Sequence, residues 1–216
     1  MKKTLAIVLV AAVALLAVGC GGKGGGGAIK IGMLYNMTGA QASLDAPSAN
    51  GAKLAAKELN AAGGVLGKKI ELVAFDGKTD AATIGNSATQ LAQTDKVVAM
   101  FGFSDSDMTM AAAPIAAKAG VVFVTSGATS PKLPDQVPDY LYLACFGDNV
   151  QAAAAAEYAV DAMKAKTVYL LIDKGMEYTL LLGKYFKERF VEMGERWSWR
   201  TTTRPATRTS PRRSRS

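Results

Sequence analysis

Two clusters of small polar residues carry the chemistry of this chain. Ser104, Asp105, Ser106 and Asp107 follow an apolar, partly β-branched run, Val97–Phe101, and precede the helix-favouring stretch Met108–Ala119. Ser126, Gly127, Ala128, Thr129 and Ser130 follow a second such run, Val121–Val124. Hydroxyls and free backbone N–H groups at a helix start suit an anionic group, because unpaired donors and the helix dipole converge there. In an open α/β sheet, ligands bind in the crevice outside the carboxyl ends of the strands. Val97–Pro131 is therefore the expected place for a small-molecule site. The same residues have a plainer use: Ser and Asp cap helices, and Thr and Gly shape turns. Residue types alone leave both uses open.

Covalent chemistry finds little support. The chain has no His, which excludes a Ser–His–Asp triad and His-based metal sites. Its two cysteines, Cys20 and Cys145, lack metal-ligand spacing, so neither a metal nor a cofactor is expected. Gly102-Phe103-Ser104-Asp105-Ser106 lacks the second Gly of a nucleophile elbow. Neither a phosphate-binding loop nor a dinucleotide fingerprint follows the first strand. Cys145 lies in an apolar stretch and reads as a buried small hydrophobe. A binding protein is expected, not an enzyme.

The elements that must position these clusters alternate along the chain. Ile29–Tyr35 is a short apolar strand, and Asn36–Pro47 a polar loop. A helix follows from about Ser48, a candidate N-cap, to Ala61, and Gly63-Gly64 ends it. Lys69–Phe75 is the second strand and Asp80–Thr94 the second helix. Val97–Phe101, Met108–Ala119 and Val121–Val124 supply strand, helix and strand. Pro131, Pro134 and Pro138 then break regular structure. Tyr140–Phe146 is a fifth strand, Asp148–Lys164 an alanine-rich helix, and Thr167–Ile172 a sixth strand. Tyr178–Met193 is a final helix, with Leu181, Tyr185 and Phe190 at helical spacings. Alternating strands and helices predict an α/β fold: a doubly wound parallel sheet with right-handed crossovers. The prolines, followed by a renewed alternation, predict a passage into a second lobe. Residues 29–139 would be a first ligand-binding lobe and 140–194 the opening of a second.

The two ends differ from this middle. The formal charge of +7 is concentrated there: Glu195–Ser216 holds seven Arg and one Glu. Residues 4–194 balance 16 basic against 17 acidic side chains, so nucleic acid is not an expected partner. Residues 1–19 have two lysines, an apolar run and small closing residues, the shape of a secretory signal peptide. Leu15-Leu16-Ala17-Val18-Gly19-Cys20 resembles a bacterial lipoprotein box, although Ala17 stands where a Leu is usual. The resemblance implies a lipid on Cys20, with residues 20–28 as a flexible glycine-rich tether. Residues 195–216 lack apolar periodicity, and their composition predicts disorder. Arg/Thr/Ser/Pro-rich peptides are what a GC-rich gene yields out of frame. The expectation is a frameshift or sequencing error near Gly194 that truncates a longer protein.

With its segments placed, the chain resembles the type I periplasmic substrate-binding proteins of ABC importers, specifically the branched-chain amino acid (Leu/Ile/Val) binding family. Ile31-Gly32 through Thr38-Gly39, Asn50-Gly51-Ala52 and Glu58-Leu59-Asn60-Ala61-Ala62-Gly63-Gly64 carry the resemblance. Ile70-Glu71-Leu72 leading to Asp76, Ala113-Pro114-Ile115-Ala116, and Ser126-Gly127-Ala128-Thr129-Ser130-Pro131 continue it. It implies a two-lobed clamp that closes by hinge motion on an amino acid or a related small amide. Ser106 matches the family's ligand-binding serine by its distance from Pro114, with Ser104 beside it. The loop of Gly127, Ala128 and Thr129 matches one that gives the ligand a backbone group and a Thr hydroxyl. Leu44 falls where these proteins place an aromatic, and Tyr178 where they place a second-lobe contact; helix packing is an equal reading for Tyr178. Asp105 and Asp107 replace residues that are usually small or neutral. The acidic group for the ligand's ammonium is not assigned. Implied partners are the amino acid, ABC permease subunits and, through Cys20, a membrane, with the protein exported and facing the periplasm or cell exterior. A ligand-sensing lobe for a membrane receptor and a non-functional fragment are the alternatives.

Overall fold

The computed structural model describes residues 27–194. The signal-like segment, Cys20 and most of the glycine-rich tether lie outside these residues, as does the arginine-rich tail.

Five parallel strands form one sheet in the order β2-β1-β3-β4-β5. They are β1 (Ile29–Tyr35), β2 (Ile70–Asp76), β3 (Ala99–Gly102), β4 (Val122–Thr125) and β5 (Leu141–Leu143). Helix α1 (Ala42–Ala61) covers one face, over Met33, Tyr35, Leu72 and Phe101. Helices α2 (Ala81–Thr89) and α3 (Ser106–Lys118) cover the other, over Leu34, Met100 and Phe123. Burial on both faces explains why the strands read as apolar runs and not as alternations. Each large side chain buried there contributes about 1.5–3 kcal/mol. The order of strands reverses between β1 and β3, and the crevice for a ligand opens at that switch point.

Several expectations need correction. Helix α1 begins at Ala42, so Pro47 and Ser48 lie inside it and Ser48 is not its cap. Proline interrupts the helical hydrogen bonds, but Asp45 in the first turn fixes the helix start from outside. Its carboxylate accepts from Asn36 N and from Ser104 N, each at 2.8 Å. The strand expected to open a second lobe at Tyr140 instead completes the first sheet. Leu141–Leu143 pairs with β4, and Ala144 N donates to Thr125 O at 3.0 Å. Any lobe boundary therefore falls after Leu143. Cys145 lies past that strand, half-buried, with Sγ 3.3 Å from Ala128 O.

Beyond a single helical turn, α4 (Leu133–Gln136), the chain continues through α5 (Asp148–Glu157) and α6 (Glu177–Glu192). These two pack together, and Arg189 reaches Glu157 with Nε at 2.9 Å and Nη2 at 2.6 Å. Thr167–Ile172, expected as a strand, is not one. An extended segment becomes a strand only by joining a sheet ladder, and the described sheet ends at β5. No described helix is long and apolar enough to cross a membrane.

Candidate functional site

The site is built where β3 and β4 end. Gly102 closes β3 so near to β1 that a Cβ there would lie 1.8 Å from Leu34 O. Phe103 then adopts φ +46°, a left-handed conformation rare for a bulky residue. Such strain, of order 1–3 kcal/mol, persists only where neighbours over-determine it. Here they do. Phe103 O accepts from Thr125 Oγ1 at 2.9 Å, Ser126 Oγ at 3.1 Å and Gly127 N at 3.2 Å. Its ring stacks on Phe123 at 6.3 Å. The turn after β3 and the loop after β4 are thereby held as one unit.

Asp105 caps α3, accepting from Met108 N at 3.0 Å. Ser106 opens the helix; it is buried, and its Oγ accepts from Ser130 N at 3.3 Å. Thr125 Oγ1 accepts from Ala128 N at 2.9 Å. Gly127 sits against Ser104, where an added Cβ would come within 3.1 Å of Ser104 Cα.

A cleft of ≈ 370 Å³ opens over this unit. Ser104, Asp105, Ser106, Gly127 and Thr129 form its sheet side, with Leu44 from α1 at its edge. Met176, Tyr178 and Thr179 at the start of α6, with Gln151 of α5, form the opposite wall. Of the residues expected from sequence, Leu44, Ser104, Ser106, Gly127, Thr129 and Tyr178 thus meet in one cleft. Ala128 does not line it: its side chain is buried behind the loop. Gln151, Met176 and Thr179 were not anticipated, and no motif in the sequence singles them out. Asp45 was missed because it sits in a stretch read as loop.

Acidic groups surround the unit. Burial raises the pKa of Asp107, and the charges of Asp105 and Glu177 raise it further against a hydrogen bond from the Glu177 backbone. Burial likewise raises Asp148, the first residue of α5; the Thr129 hydroxyl opposes this and the charge of Glu177 adds to it. Burial, then Asp148, push the Cys145 thiol up. Lys132 lies 3.5 Å from Glu177. Hydroxyls, backbone donors and a helix start face the cleft, an arrangement suited to holding a small polar molecule.

Residues 28–194 match the periplasmic binding protein family. An amino acid binding protein of Pseudomonas aeruginosa is 34% identical over 146 residues, covering 68% of this chain and 39% of its own. Leu/Ile/Val-binding protein homolog 1 of Brucella abortus is 30% identical over 194 residues, 90% of this chain and 51% of its own. Among solved structures, the branched-chain amino acid substrate-binding protein LivJ of Streptococcus pneumoniae, in complex with isoleucine, superposes with a TM-score of 0.78. It is 33% identical, over 86% of this chain and 52% of its own. The leucine-binding protein LivK of Thermotoga maritima gives a TM-score of 0.75 at 28% identity, over 83% and 49%. The chain spans about half the length of these relatives or less. With the five-stranded sheet, the strand-end cleft and the match over residues 28–194, the chain belongs to the periplasmic binding protein family.

Proposed function

We propose that this protein binds an amino acid of the branched-chain type, or a related small amide, for delivery to an ABC importer. The observation that carries the reading is the convergence of Ser106, Gly127 and Thr129 on one cleft with Tyr178 opposite them. The hydroxyls and the start of α3 suit a ligand carboxylate. Leu44, half-exposed at the edge, suits an aliphatic side chain. In this reading residues 29–143 are the first jaw and 148–194 contribute the opening of the second. The second jaw and the passage into it carry uncovered apolar surface: Leu171 is 75% exposed and Phe146 77%. A jaw so open gains little by closing, so binding is weak, with Kd near about 1 mM. Export and a lipid on Cys20 complete the proposal and place the protein at the membrane surface.

A thermal-shift screen with L-leucine, L-isoleucine and L-valine tests the reading. A ligand at a hundred times Kd stabilises the folded form by about 2.7 kcal/mol, so the midpoint rises with concentration. Ser106→Ala abolishes the rise. No shift with any of the three at 100-fold the proposed Kd refutes it.

A further inference from the structure

Asp148 has no role in the site as described, yet it is fully buried beside it. Neither of its carboxyl oxygens makes a hydrogen bond of ordinary geometry with a described residue. An ionised carboxylate in that position is costly, and proteins avoid it by neutralising or pairing the group. Its own backbone N donates to Thr129 O at 2.8 Å, so the start of α5 is fastened to the loop after β4. That bond holds Asp148 beside Thr129, whose hydroxyl favours the ionised carboxylate. Thr129 in turn lines the cleft.

A Thr hydroxyl has one proton and two lone pairs. We propose that Asp148 is a positioning residue that sets which of these Thr129 presents to the cleft. When Asp148 is the neutral acid, it donates its proton to Thr129 Oγ1, and the Thr129 O–H turns outward to donate to a ligand carboxylate. When Asp148 is ionised, it accepts the Thr129 O–H, and only lone pairs face the cleft, which repels a carboxylate. The charged and titratable groups about Asp148 are Glu177 at the start of α6 and Cys145 after β5. Asp105 and Asp107 of the α3 start and Lys132, paired with Glu177, lie beyond them. The Glu177 carboxylate favours the neutral acid, in the same direction as burial.

The inference rests on the proposed amino acid site, and its test separates the two. The carboxyl carbon of Asp148 is followed by NMR through a pH titration of the 216-residue chain and of Thr129→Val, without ligand. Asp148 is expected to titrate above the ordinary carboxylate range, and higher still in Thr129→Val, which removes the one interaction opposing the rise. L-Leucine is then titrated at several pH values. Its affinity is expected to fall about tenfold as pH rises through the Asp148 pKa. Asp148→Asn keeps a donor to Thr129, so it binds at the low-pH affinity with no pH dependence; Asp148→Ala binds weakly throughout. An Asp148 that titrates in the ordinary range, or that does not respond to Thr129→Val, overturns the inference whether or not leucine binds. If the carboxyl behaves as expected but leucine binds at no pH, the proposed function fails and the Asp148–Thr129 coupling stands.

Discussion

Asp45 is the residue on which the crevice depends most. Its two oxygens join the end of β1 to the turn after β3, through Asn36 N and Ser104 N. It is fully buried, so removing an oxygen strands a backbone donor. Asp45→Asn turns an amide N–H toward one of those donors and is expected to lower unfolding free energy by about 2–3 kcal/mol in urea denaturation. A loss within about 0.5 kcal/mol, the size of an ordinary surface substitution, contradicts this. Sequence could not reveal this role, because the partners are brought to Asp45 only by the fold. Ser106 and Thr129 were legible because they lie just past the ends of strands. Tyr178 was half legible: a tyrosine at a helix start can pack or face a ligand, and here it lines the cleft.

At the scale of elements, α3 starts as its residues suggest. Asp105 is an N-cap whose carboxylate takes Met108 N, and it lines the cleft as well. Asp105→Ala is expected to cost about 1 kcal/mol of stability, the usual worth of such a cap. Asp105→Ser, which can still cap, is expected to restore most of it, as urea unfolding of the pair reports; equal losses in both mean that charge and not capping is at stake. The first four strands were readable within a residue or two, because buried parallel strands are apolar throughout. The start of α1 was not, because proline is normally read as a boundary and a tertiary contact overrode it. Thr167–Ile172 has strand composition, but pairing is a property of neighbours and not of the segment itself.

The whole molecule couples proton binding to stability in two opposing ways. Asp76 accepts from Thr38 Oγ1 and from the backbone N–H groups of Met37, Thr38 and Lys78. Burial pushes its pKa up, but these bonds outweigh it and the net direction is down. The folded form then binds fewer protons than the unfolded one. Its contribution is present above the ordinary carboxylate pKa and is lost as pH falls through the lowered value. Asp107 and Asp148 are raised, chiefly by burial. For them the folded form binds more protons, so stability falls as pH rises from the ordinary carboxylate range through their raised values. The melting midpoint is expected to peak at mildly acidic pH, and Asp148→Asn to flatten the decline on the alkaline side. An unchanged decline in that variant assigns it to other groups.

The central claim is that the crevice outside β3 and β4 receives an amino acid. It is tested most directly by following backbone amides in NMR spectra while L-isoleucine is added to the 216-residue chain. The amides of Ser106, Gly127 and Thr129 are expected to shift together and saturate with Kd near about 1 mM, with Tyr178 following from the opposite wall. Shifts that never saturate, or that gather elsewhere on the chain while these four amides stay still, would contradict it.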